Sequence, residues 1–283
     1  MQDEEQEFNW ADRLKHLLRV DEEANTEMAF QFLTNLGLEV ADEELLKILA
    51  STDMNVCYCL KYDMFEVIKD VNTLDLHGWN IDDIIHKIPS LANLQRLNVA
   101  QCGLKKIPKD FSKLKQLTHL HLSFNYLQEI GNEITSLQNL EFLDLERNKI
   151  ASLPDSFWEL KTLKSLSVED NPITTIAQIG QLMQLEELDL RDTKINELPT
   201  EIGELTNLKV LKFSRTAIKQ IPPSIAKLQA LEELYLGGNE NLSLPNEICE
   251  LQNLKEISIS RHQITAEQEA TIREKMPKIE FKF

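Results

Sequence analysis

LQNLEFLDLERNKIASLPDSFWE, residues 137–159, is the stretch whose reading decides the fold. Leu137, Leu140, Leu143 and Leu145 lead to Asn148, and Ile150, Leu153, Pro154 and Phe157 follow. Leu143 and Leu145 alternate with Phe142, Asp144 and Glu146, the period of a short strand with one buried face. Asn148 stands where the chain must turn, and an amide there can satisfy backbone groups that a tight inner turn leaves unpaired. Pro154 then fixes an extended, non-helical return on the outer side.

The same pattern recurs along the chain. Leu91, Leu114, Leu137, Leu160, Leu182, Leu205, Leu228 and Leu251 each open a block, 23 residues apart except for 22 between Leu160 and Leu182. Each unit has an apolar side that it cannot bury alone, so stacking on its neighbours closes the core and the chain is a solenoid. The Asn column reads Asn125, Asn148, Asn171 and Asn239, with Cys102, Thr193, Thr216 and His262 at the equivalent places. The Pro column reads Pro108, Pro154, Pro199, Pro222 and Pro245. Gly131 and Ala177 depart from it, which predicts differently shaped outer turns there. Residues 68–90 keep the apolar spacing through Ile68, Val71, Leu74 and Leu76. Trp79 replaces Asn in that block, and IDDIIHKIPS lacks the usual turn, so a distorted first unit is expected.

This pattern resembles the leucine-rich repeat family, in its 23-residue form with a Leu/Ile-Pro turn, over residues 68–283. The resemblance implies an α/β solenoid: a right-handed horseshoe with a parallel β-sheet on its concave face and irregular or short helical segments outside. It also implies a non-enzymatic module that binds a protein or peptide partner.

Residues 1–67 do not fit the repeat. Phe8, Leu14, Leu17 and Leu18 fall at helical spacing, as do Ala29, Phe30, Phe32, Leu33 and Leu36 before Gly37. Asp42, Glu43 and Glu44 precede Leu45, Leu46, Ile48 and Leu49 as a third helix. The expectation is a helical amino-terminal cap at 1–67, repeats at 68–262 and a carboxy-terminal cap at 263–283. In that last segment, Thr265 caps a helix with Glu267 and Glu269 in its first turn, Pro277 stops it, and Ile279, Phe281 and Phe283 alternate as a closing strand.

The chain of 283 residues carries 30 Lys plus Arg against 47 Asp plus Glu, a net charge of −17. Neither nucleic acid nor an anionic membrane surface attracts such a balance, and no run approaches a membrane span. Cys57 and Cys59 are too closely spaced for an easy strand-internal bridge, and Cys102 reads as a small buried side chain in the Asn column. With no apolar leader in MQDEEQEF, a reduced, cytoplasmic setting is expected. The alternative is an exported structural or cell-envelope protein, secreted or on the cell surface, whose signal was removed.

Strand alternation assigns the solvent side of the sheet. Its centre gathers Asp144, Glu146, Glu169, Asp170, Glu187, Asp189 and Asp192 with Arg147 and Arg191, while Lys212 and Arg215 lie just beyond. Phe124, Phe142 and Tyr235 are the aromatics this face offers. Aromatic anchors beside charges of mixed sign suit a protein-binding surface, and the acidic centre suits a basic partner. On this reading Asp144 and Asp189 are surface charges that tolerate reversal to Lys, and cross-strand pairs form between Asp189 and Lys212 and between Asp192 and Arg215.

The rival chemistry is thin. His119 and His121 point the same way beside Asp144, a conceivable zinc set, but the sheet is open and wet and no outer shell is evident. No nucleophile elbow, phosphate-binding Gly loop or Cys-x-x-Cys set is present, and Cys57 or Cys249 would lack a catalytic domain to serve. Neither a cofactor, a metal nor enzymatic activity is expected.

Overall fold

The computed structural model describes residues 10–19, 23–38, 41–240 and 242–283. Phe8 lies outside them. Nine parallel three-residue strands, one per block, run from β1 (Thr73–Asp75) through β4 (Phe142–Asp144), β6 (Glu187–Asp189), β7 (Val210–Lys212) and β8 (Glu233–Tyr235) to β9 (Glu256–Ser258). A tenth, β10 (Glu280–Lys282), pairs parallel to β9, and the strands lie in chain order in one open curved sheet.

Register is set by the inward leucines. Leu97, Leu120, Leu143, Leu166, Leu188, Leu211 and Leu234 pair in sequence, and all are buried. Each such side chain contributes roughly 1.5–3 kcal/mol of burial, so a one-residue slip that turned the row outward is excluded. A second inward row, Val99, Leu122, Leu145, Val168, Leu190, Phe213 and Leu236, lies beneath the turn and is fully buried.

The Asn column holds these turns together. Asn148 Nδ2 donates to the carbonyls of Leu122 (3.0 Å), Leu145 (3.0 Å) and Glu146 (3.2 Å). Its Oδ1 accepts the N–H of Leu127 in the preceding block at 3.0 Å. Asn125, Asn171 and Asn239 repeat the arrangement. Thr193 and Thr216 replace it in part, each hydroxyl donating to the carbonyl three residues back. In the last block the expectation fails: His262 is exposed, and buried Gln263 donates to the carbonyls of Leu236 and Asn239. The chain there has already entered a 3-10 turn, which shifts the inward position by one residue.

Outer returns are 3-10 turns that begin directly after Pro108, Pro154, Pro199, Pro222 and Pro245. Where Gly131 replaces Pro the segment is a short α-helix, Asn132–Thr135. In the 22-residue block with Ala177 it shrinks to three residues, Ile179–Gln181.

Five helices precede the sheet: α1 (Trp10–Arg19), α2 (Glu23–Leu36), α3 (Glu43–Leu49), α4 (Asp53–Lys61) and α5 (Phe65–Ile68). Gly37, at φ +81°, ends α2 by adopting a conformation other residues reach at a cost. Asp42 caps α3 by accepting from Leu45 N–H, and Thr52 caps α4 through Asn55 N–H. Cys57 and Cys59 therefore sit on a helix, not a strand, and both are buried. Buried Lys15 ties α1 to α3 through Asp42 (2.6 Å) and Glu44 (3.0 Å). From α4, Asp53 accepts the N–H of Asp75 in β1 at 3.2 Å, and one apolar cluster runs from Ala11 to Ile279. Trp79 takes no part of the Asn role; with Met54 and Tyr58 it lines a cleft of about 480 Å³ between α4 and the first block.

At the other end, α6 (Ala266–Lys275) follows a capping box of Thr265 and Gln268, and β10 covers β9.

Replacing Asn148 by Ala removes three donated bonds and orphans a buried N–H, so unfolding in urea should show a loss of about 2–4 kcal/mol. A loss below about 0.5 kcal/mol would mean that the column does not hold the turns.

Candidate functional site: the concave sheet face

Four outward columns build the face, three of which are set by the turn and one, with His119, Phe142, Glu187 and Glu233, by the start of the strands. The column that ends the strands is partly structural. Asp75, Asn98, Asp144 and Asp189 each turn a side-chain oxygen back to accept the N–H two residues on, at 3.0, 3.0, 2.9 and 3.1 Å. Such Asx bonds close the bend where strand passes into turn. Asp189 is only 4% exposed and also receives the Arg191 guanidinium on both oxygens. Asp144 and Asp189 are therefore not free surface charges, a correction to the sequence reading. Burial pushes the Asp144 carboxyl up, but the His121 imidazole and the Glu146 N–H outweigh it and hold it below the usual aspartate range.

The next column, at the bend, carries Glu146, Glu169 and Arg191. Arg191 Nη2 donates to Glu169 at 2.5 Å and to Asp189 at 2.6 Å. Glu146 meets Arg147 at 3.7 Å and feels the charge of Arg191. Burial, then the neighbouring Asp144 charge, pushes the Glu146 carboxyl above its usual range; burial and Asp189 do the same to Glu169. In both, burial and like charge outweigh the arginines nearby, so a further cation would favour the ionised form.

The third column precedes the Asn column, and its backbone is left-handed in block after block. Phe124 (φ +57°), Arg147 (+50°), Asp170 (+51°), Asp192 (+54°) and Arg215 (+57°) all lie there. A bulky aromatic in this region is uncommon. Phe124 is 42% exposed, with the Arg147 guanidinium 4.8 Å from its ring centre. Arg147 also approaches Asp170 at 3.4 Å. Arg215 grips both oxygens of Asp192, at 2.7 and 2.5 Å, which holds that carboxyl below the usual aspartate range.

The pairings differ from expectation in one place. Asp192 and Arg215 pair across strands, but Lys212 reaches past Asp189 (3.7 Å) to Glu187 at 2.6 Å. Arg191 has already taken Asp189. Tyr235 donates its hydroxyl to Glu233 at 2.8 Å.

Phe142 lies between two imidazoles, with ring centroids 5.8 Å from His119 and 4.6 Å from His121. His121 Nδ1 stands 3.8 Å from Asp144. Among the described residues no three His, Cys, Asp or Glu groups converge as a metal set. Burial, then Arg96, lowers the His119 pKa, so that ring is neutral at pH 7. The sequence reading missed this ring cluster, although the registered pairs His119–Phe142 and His121–Asp144 follow from the 23-residue spacing. It also missed Tyr126, 51% exposed one residue beyond the Asn column.

Comparison with known proteins agrees with this geometry. Leucine-rich repeat models match residues 93–114, 115–173 and, as a leucine-rich repeat region, 171–278. The chain is a leucine-rich repeat protein. No curated protein matches it. Among solved structures, a leucine-rich repeat protein of Leptospira interrogans is 32% identical over 77% of this chain, with a TM-score of 0.64. The chain spans 62% of that protein's length. An internalin (inlF) of Listeria monocytogenes is 18% identical, with a TM-score of 0.69, over 97% of this chain and 94% of its own. The ectodomain of the Arabidopsis thaliana membrane receptor kinase GASSHO1/SCHENGEN3, in complex with Casparian strip integrity factor 2, is 26% identical, with a TM-score of 0.58. The match covers 68% of this chain and 28% of the ectodomain. Among the described residues no helix is long and apolar enough to cross a membrane.

Reversing Asp189 to Lys should cost about 2–4 kcal/mol in urea unfolding, because it removes the turn bond and strands Arg191. Asp189→Asn, which keeps an oxygen for the turn, should cost less than half of that. Equal stability of wild type and Asp189→Lys would return Asp189 to the surface charges.

Proposed function

We propose that this chain is a non-enzymatic interaction module whose concave face holds a protein or peptide segment rich in Lys or Arg. The observation that carries the reading is the state of Glu146 and Glu169: two half-buried carboxylates pushed above their usual range, one with its nearest guanidinium 3.7 Å away and the other sharing Arg191 with Asp189. A partner's ammonium or guanidinium would supply a further positive charge. Phe124 and Phe142 add apolar contact at the amino-terminal edge of the acidic centre, and Tyr235 at the opposite edge. Asp170, Glu187, Asp192, Arg215 and Lys212 form the surround that sets register, while Asp144, Asp189 and Arg191 hold the bend on which the glutamates stand. The Arabidopsis receptor ectodomain, crystallised in a complex, lends support from a similar repeat array. In the same reading, residues 1–67 and 263–283 serve as caps, and the four unpaired thiols suit a reducing compartment.

The test is a peptide-array screen with the purified chain, followed by fluorescence anisotropy on the strongest sequences. Hits should be enriched in Lys and Arg, and Glu146→Gln with Glu169→Gln should weaken them about tenfold, the effect of one lost charge-assisted bond. Phe124→Gly should weaken them as well yet stay within about 1 kcal/mol of wild-type stability, because glycine relieves the left-handed backbone as the ring contact is lost.

Binding a cation favours the ionised carboxylates, so affinity should hold at neutral pH and fall as pH drops through their raised pKa values. That loss should begin above the pH of an ordinary glutamate, near about 4.3. Hits without charge preference, or unaffected by the double variant, would contradict the reading.

A further inference from the structure

We propose that a depression on the edge of the solenoid, beyond the Asn column, is a second site that takes a sugar bearing a phosphate or sulfate group. It encloses about 530 Å³ and is lined by Lys105, Lys106, Tyr126, Gln128, Glu129 and Lys149. Nothing in the concave-face reading uses it.

One block before Tyr126 the repeat lacks a side chain at the equivalent position. Tyr126 N–H bonds Leu104 O, and Lys149 N–H bonds Leu127 O, both at 2.8 Å, so Gly103, Tyr126 and Lys149 occupy one position in three successive blocks. Gly103 is left-handed at φ +75°, and a Cβ built on it would meet nothing within 4 Å. Open room therefore lies beside the exposed Tyr126 ring. The Lys149 ammonium sits 5.1 Å from the centre of that ring.

The charge is what marks the place. At the start of the strands, lysines meet a glutamate of the preceding block: Lys164 with Glu141, Lys209 with Glu186 and Lys255 with Glu232. Lys105, Lys106 and Lys149 follow another rule. All three are exposed, none forms an ion pair among the described residues, and Glu129 is the one carboxylate in the lining. In a chain of net charge −17, three cations converge on one cavity with a single opposing charge.

The ligand follows from these groups. Three separate ammonium points suit a tetrahedral oxyanion with several oxygens, whereas a carboxylate is best met by an arginine fork, which is missing from the lining. A tyrosine ring with one open side suits the apolar face of a sugar ring. The volume is that of a small-molecule site.

Titration calorimetry on the full chain at low ionic strength tests this with four probes: glucose 6-phosphate, glucose 6-sulfate, inorganic phosphate and glucose. At least one ringed anion should bind roughly tenfold or more tighter than inorganic phosphate or glucose, and the pair of ringed anions separates a phosphate from a sulfate preference. The triple variant K105A/K106A/K149A should lose about thirtyfold or more, and Y126A should fall to the level of inorganic phosphate. All four positions are exposed, and an unchanged melting temperature confirms that the variants fold; K149Q, which keeps the side-chain length, should lose about fivefold on its own. Failure of both ringed anions to bind overturns the site. So does equal binding of inorganic phosphate, an unaffected Y126A, or an unaffected triple variant.

Discussion

A backbone that turns inward every 23 residues must pair the polar groups it drags into an apolar interior. The side-chain amides of Asn125, Asn148, Asn171 and Asn239 do this, each donating to carbonyls of two blocks and accepting from an N–H of the preceding one. Leucine burial supplies most of the stabilisation, but apolar contact is non-directional and would permit many stackings. The amide column selects one of them. It fixes the distance between blocks, and hence the in-register sheet and every surface column on it.

The exposed chemistry grows from the same turn. Immediately before each amide the chain passes through a left-handed residue, and in four blocks Asp75, Asn98, Asp144 or Asp189 closes the bend with its own side chain. Positions that ordinarily favour Gly or Asn carry Phe124, Arg147, Asp170, Asp192 and Arg215 instead. That choice costs backbone stability and projects large or charged groups from a rigid rim. Asp189 shows the division of labour: it holds Arg191, which in turn holds Glu169 in place.

Much of this was legible in the residues themselves. The apolar spacing gave the solenoid, the strand positions and the buried rows, because a period repeated eight times leaves little freedom. The altered turns at Gly131 and in the 22-residue block were legible too, since losing the proline removes a fixed φ. What failed did so for local reasons. His262 lost the amide role to Gln263 because a capping turn begins one residue early. Helix α4 was missed, and Cys57 with Cys59 misplaced, because its sequence DMNVCYCLK shows no clear apolar stripe. Asp189 looked like an outward charge because alternation reports direction from the sheet, not whether a side chain folds back onto its own backbone. Tyr126 stands apart from any strand pattern, and its cavity lies outside the columns that alternation assigns.

Amide hydrogen exchange, followed residue by residue, tests the central claim most directly. The N–H groups of Leu104, Leu127 and Ile150 lie outside the strands and have side-chain oxygens of Asn125, Asn148 and Asn171 as their acceptors. If the amide column holds the stack, these three should exchange as slowly as the strand amides of Leu120 and Leu143, opening only when the array unfolds. Exchange at the rate of exposed loop amides, with the strand amides still protected, would show that the leucines stack the blocks without the asparagines.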